Sequence, residues 1–251
     1  MNGRVNAFGQ PIGPALPDWT PRPYPPRTPM EGRSCRVVPL DAEAHAAGLF
    51  AAFSAAPDQR NWTYLPDEMP ESEAAFRERL AARAASRDPL FHAILDRASG
   101  EPLGIASYLR IDPANGVIEV GHLHFGPRLQ RTPASTEAMA LMMARAFDEL
   151  GYRRYEWKCD SLNAPSRAAA LRLGFTFEGI FRNATVVKGR SRDTAWYAIT
   201  DADWPKVRAG FEAWLEPANF DADGRQRRGL AALRGAAVTP RPGRPEPDLR
   251  C

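Results

Sequence analysis

Apolar positions recur along this chain with two different periods, and the changes of period mark out its elements. Residues 103–111 alternate, placing Leu103, Ile105, Ser107, Leu109 and Ile111 on one face, as a strand does. Residues 117–125 alternate too, which sets Glu119 with Leu123 and Phe125 and puts His122 and His124 on the other face with Ile118 and Val120. Shorter apolar runs at 35–40, 91–96 and 154–159 read as strands, and 175–181 with 195–200 as a closing hairpin around a loop at 188–194. Helical spacing appears at 42–53, with Leu49, Phe50 and Phe53 on its apolar side, and after the N-cap Ser72, where Phe76 and Leu80 lie one turn apart. Residues 134–150 and 164–173 read as helices closed by Gly151 and Gly174, and Asp203 caps a last helix carrying Val207, Phe211 and Leu215. Two helices, an antiparallel run, then strand–helix–strand–helix–strand describe an α+β fold.

The pattern fades at both ends. Residues 1–33 hold eight prolines and little periodicity, so they read as an extended N-terminal extension, with Trp19 and Tyr24 available to pin it to a surface. Residues 216–251 are rich in Arg and Pro and read as a solvated tail. The foldable domain is therefore expected at 34–215.

Composition narrows the function classes. With 251 residues and 44% hydrophobic content the chain can bury a sizeable core. No apolar run is long enough to span a bilayer, and the first residues lack a signal-peptide core, so a cytoplasmic protein without a membrane partner is expected. Cys35, Cys159 and Cys251 are far apart and odd in number, which argues against a disulfide framework or a cysteine zinc site. The Arg-rich tail has no interleaved aromatics, so nucleic acid is not expected as a partner. His122 and His124 form a His-x-His pair with no third ligand evident nearby, and no metal is expected.

Two helix starts carry candidate chemistry. The loop 128–136 leads into a long helix whose unpaired N–H groups attract phosphate, and Arg128 and Arg131 add positive charge there. Asn163 is placed to cap the next helix, Pro165 is tolerated in its first turn, and Ser166 follows.

The run QRTPASTEAMALMMARAFDELGYRRYEWKCDSLNAPSRAAALRLGFTFEG, residues 130–179, resembles the acyl-CoA-binding half of the GNAT N-acetyltransferases, especially the branch typified by ribosomal-protein N-terminal acetyltransferases. The resemblance spans about residues 35–200. It implies the GNAT fold, a central mixed and mostly antiparallel twisted sheet flanked by helices, with acetyl-CoA as acyl donor. Gln130 matches the first position of the family's pyrophosphate loop, while Pro133 and Ser135 stand where glycines are usual, and Pro133 offers no N–H. The implied donor-binding residues are Leu123, Phe125, Gln130, Arg131, Thr132, Ala134, Ser135, Thr136, Asn163 and Ser166. Many relatives carry a Tyr where this chain has Ala170, and the ribosomal-type members carry Ser at the position of Ser166, which would then protonate the departing thiolate.

Transfer to an amine also needs a proton acceptor. Glu119 is the preferred base and Asp160, at the end of the following strand, the alternative. Trp62 and Tyr64 lie where the family places its acceptor-side loop. The resemblance thus implies acetyl transfer to a primary amine, a small molecule or a protein N-terminus, by direct attack in a ternary complex, with pairing into a homodimer also expected. The competing reading is a non-catalytic protein of the same fold that binds a CoA-like ligand or a partner protein.

Overall fold

A computed structural model describes residues 4–236. Its framework is one eight-stranded sheet: β1 (Met30–Glu31), β2 (Cys35–Pro39), β3 (Leu90–Asp96), β4 (Pro102–Asp112), β5 (Val117–Phe125), β6 (Arg154–Asp160), β7 (Thr176–Val187) and β8 (Arg190–Thr200). The spatial order is β1-β2-β3-β4-β5-β6-β8-β7, and every neighbouring pair is antiparallel except β5 and β6. That parallel pair requires a crossover, which α3 (Pro133–Ala144) supplies. The expected mixed, mostly antiparallel α+β fold is what the chain forms.

Helices cover both faces. On one, α1 (Ala42–Ser54) and α2 (Glu73–Ala85) bury Leu49, Phe53, Phe76 and Leu80 against Val38, Phe91, Ala93, Leu95 and Ile105. On the other, α3, α4 (Ala164–Leu173) and α5 (Trp204–Leu215) close over a larger cluster that includes Ile118, Val120, Tyr155, Trp157 and Tyr197. The helix expected at 134–150 narrows to α3 and then one wide turn, in which the Leu150 N–H reaches the Arg145 carbonyl at 3.0 Å.

Three features depart from the periodicity reading. First, the closing hairpin is longer than expected. Lys188 and Gly189 both have positive φ (50° and 70°), a two-residue turn that lets β7 and β8 pair out to Val187↔Arg190, so most of 188–194 is strand. Second, the segment expected as a tail folds back as far as α6 (Leu230–Ala236). Trp214 donates to Gln226 at 2.7 Å, Asn219 bridges the Trp214 and Arg228 carbonyls, and Leu230 is buried, because Phe220, Leu230 and Leu233 cover apolar surface that α5 leaves open. Residues 237–251 lie outside the described part. Third, the Pro-rich arm is docked. Trp19 donates to the Ala114 carbonyl at 2.8 Å with its ring against Arg22 and Arg153, Tyr24 donates to the Arg87 carbonyl, and Arg145 holds the Thr28 and Pro29 carbonyls.

Candidate active site

The site starts from a defect in β5. Between Ile105 and Ser107 of β4 the facing strand runs from His124 to Gly121, one residue too many, and His122 takes a φ of 50° to absorb it. The extra residue reverses the alternation. Ile118 and Val120 face the large core cluster, and beyond the bulge Leu123 and Phe125 pack against the same cluster. His122 and His124 therefore turn to the α1–α2 side together with Glu119. This corrects the expected grouping of Glu119 with Leu123 and Phe125.

Parallel pairing of β5 with β6 ends at Val120↔Trp157. Past that point the strands diverge along a cleft of about 1000 Å³. Leu123, His124 and Phe125 line it from β5, Trp157 from β6, Gln130, Arg131, Ser135 and Thr136 from the start of α3, and Asn163, Ser166 and Arg172 from α4. Trp214, Phe220, Arg225 and Gln226 close one end, so the refolded C-terminal segment contributes a wall.

Local hydrogen bonds decide which groups remain free. Thr132 caps α3, accepting the Ser135 N–H at 3.2 Å, while the Ser135 hydroxyl donates back to the Thr132 carbonyl at 2.8 Å. The Ser135 hydroxyl, at a position where glycine is usual, is thus already engaged. Gln130 donates to the Phe125 carbonyl at 2.8 Å, bracing the loop against β5. Thr132 and Ala134 do not line the cleft. Arg172 donates to Thr136 at 3.1 Å and lies 5.1 Å from the Trp214 ring centre, a cation that sequence spacing did not single out.

At the other helix start, Asn163 accepts the Ser166 N–H at 3.1 Å as the N-cap. Trp157 donates its indole N–H to the Ser166 oxygen at 3.0 Å. An indole only donates, so the serine oxygen accepts and its proton is left to point elsewhere. Burial raises the neighbouring Cys159 thiol above its ordinary range, so it stays protonated. Ala170, within α4, is fully buried.

The candidate proton acceptors separate. Glu119, only 3% exposed, accepts from Arg110 at 2.7 and 2.8 Å and pairs with Lys158 at 2.8 Å. Both its oxygens are engaged by cations, and it does not line the cleft. Asp160 lies in a neighbouring cavity, its carboxylate accepting the Leu162 N–H at 2.8 Å. His124 does line the cleft, stacked on Phe53 at 3.8 Å and edge-on to Trp62 at 4.3 Å. Burial, with Arg83 adding to it, lowers its pKa to about 3 and keeps the ring neutral. His122 meets the Ser107 hydroxyl at 3.0 Å, and burial with Arg83 and Arg110 lowers it to about 4. Trp62 is buried behind His124 rather than lining the cleft, and Tyr64 lines the neighbouring cavity, its hydroxyl donating to the Leu162 carbonyl. Among the described residues no group of three metal-ligating side chains occurs, and no helix is long and apolar enough to cross a membrane.

Comparison with known proteins gives a consistent result. The family model for the acetyltransferase (GNAT) domain matches residues 36–176. A GCN5-related N-acetyltransferase from Brucella melitensis is 50% identical, covering 88% of this chain and 100% of that one, with a TM-score of 0.86. A protein assigned to the GNAT acetyltransferase family from Chromobacterium violaceum is 42% identical over 78% of this chain and 98% of its own, with a TM-score of 0.73. A Vibrio cholerae protein assigned as a ribosomal-protein-serine acetyltransferase is only 18% identical, covering 68% of this chain and 97% of its own at a TM-score of 0.60, a likeness of fold alone. No curated protein sequence matches the chain closely.

Proposed function

The chain belongs to the GNAT acetyltransferase family and is an acetyl-CoA-dependent acyltransferase, and from that premise we propose that it acetylates a primary amine by direct attack within the cleft between β5 and β6. The observation that carries this reading is the divergence of those strands, with a helix N-terminus on one side and Ser166 on the other. The start of α3 with Arg131 and Arg172 suits the phosphates of the donor, and the gap between β5 and β6 suits its pantetheine arm. A backbone N–H freed beside the bulge would polarise the thioester carbonyl.

In the reaction the amine nitrogen bonds to the acetyl carbon, the carbon–sulfur bond breaks, the nitrogen loses a proton and CoA departs as a thiol. Ser166 donates a hydrogen bond to the departing sulfur, and the proton that nitrogen loses balances the one that CoA takes up as a thiol. His124 receives the proton from nitrogen, a role its position supports better than that of Glu119 or Asp160. Burial keeps this imidazole neutral but also weakens it as a base, so its contribution falls at the low end of general-base catalysis, about a hundredfold. Within the family, a protein N-terminus is the acceptor implied by the ribosomal-type branch, and a small amine is the other.

The test is calorimetric titration with acetyl-CoA, followed by thiol release in the presence of an amine panel and a set of N-terminal peptides. Micromolar donor binding with amine-dependent release of CoA is the expected result. Donor binding without release on any amine would overturn the proposal.

A further inference from the structure

The α1–α2 loop and the tip of the β7–β8 hairpin enclose a second cavity of about 560 Å³. A single layer of chain separates it from the donor cleft. Arg60 and Asn61 line the cleft while Thr63 and Tyr64 line the second cavity, and Asn163 lines the cleft while Leu162 lines the second cavity. The Tyr64 hydroxyl ties this partition together at the Leu162 carbonyl, 3.1 Å away. Lys188 donates to the Trp62 carbonyl at 2.7 Å, clasping the hairpin tip to the loop.

The charges inside the cavity are unevenly committed. Glu68 pairs with Lys188 at 2.9 Å, and Asp160 accepts the Leu162 N–H. Arg190 and Arg192 also line it, and neither enters a salt bridge among the described residues. The Nε of Arg192 is buried without a hydrogen-bond partner. A guanidinium donor withdrawn from water and left without an acceptor is costly, and its planar fork matches a carboxylate.

We propose that this cavity binds the carboxylate of the acceptor, so that the protein acetylates small amines bearing a carboxylate, amino-acid-like molecules, in preference to simple alkylamines. This rests on the amine-acetylation reading. An acceptor reaching over the exposed rim of the partition at Tyr64 and Leu162 would hold its amine in the cleft near His124 and Ser166 and its carboxylate against Arg190 and Arg192.

The experiment compares amines that differ by one carboxylate: phenylalanine with phenethylamine, and lysine with pentane-1,5-diamine, with phosphoethanolamine as the phosphate counterpart. The expected result is at least a tenfold higher kcat/KM for the carboxylate-bearing member, carried by KM. Arg192→Gln and, separately, Arg190→Gln should reduce that preference while leaving acetyl-CoA affinity, thermal midpoint and the rate with phenethylamine unchanged. Equal kcat/KM within each pair, a preference untouched by both substitutions, or a stronger preference for phosphoethanolamine would overturn the proposal. Bound acetyl-CoA with no thiol release on any amine would instead remove the reading beneath it, and the proposal with it.

Discussion

Because the Trp157 indole occupies the Ser166 oxygen as a donor, the serine proton is directed away from it, which makes Trp157 a positioning residue in the proposed mechanism. On the proposed mechanism Ser166→Ala should lower kcat by about a hundredfold with acetyl-CoA affinity retained, since only the leaving thiolate loses a partner. His124→Asn should likewise lower kcat by about a hundredfold. Steady-state kinetics beside calorimetry would separate these effects, and an unchanged kcat in either variant would remove that residue from the mechanism. Ser166, Asn163 and Gln130 were legible from spacing and resemblance because each begins an element at a fixed place in a local motif. His124 and Trp157 were not, because their roles come from what a distant element sets beside them.

At the scale of the element, both the site and the stability of its helices depend on a few backbone departures. One extra residue in β5 decides which side chains face the cleft, and strict alternation could not register it, since a single-residue slip inverts every later side chain. Gly174 illustrates the opposite, a position read correctly from sequence. It ends α4 with a φ of 110°, and an added Cβ would sit 3.0 Å from Val207 and 3.1 Å from Arg234. Gly174→Ala should therefore cost about 1–3 kcal/mol, combining left-handed strain with crowding against α5 and α6. A shift in the chemical denaturation midpoint at constant slope would check it, and an unchanged midpoint would refute the packing account. The Lys188-Gly189 turn carries a glycine signal as well, but Arg-rich flanks made the strands around it read as loop.

Across the whole molecule, buried imidazoles couple stability to pH. His92 is fully buried with neither ring nitrogen hydrogen-bonded, and burial, with Arg145 nearby, lowers its pKa to about 4. His122 and His124 are lowered as well, and so is His45, again mainly through burial. In each case the unfolded chain binds a proton at higher pH than the folded one. Their contribution is thus complete above the ordinary histidine pKa near 6.5 and is lost as pH falls toward about 4. For His92 and His122 a fall from 6.5 to about 4 corresponds to roughly 3 kcal/mol each, so the thermal midpoint should drop clearly between pH 7 and pH 4.5. Scanning calorimetry across that window tests this, and a flat midpoint would show that the imidazoles are hydrated.

Sequence alone determined the fold class, the order of most elements and the two helix starts that frame the cleft, because periodicity, caps and turn residues are local properties of the chain. Tertiary structure decided the rest. The β5 bulge aims His124, the parallel edge between β5 and β6 opens the gap, and residues 216–236 fold back to wall it, each by balancing contacts between segments far apart in sequence. Glu119 shows the difference most clearly: its place in β5 was readable, but its engagement by Arg110 and Lys158 arises only when three strands lie side by side.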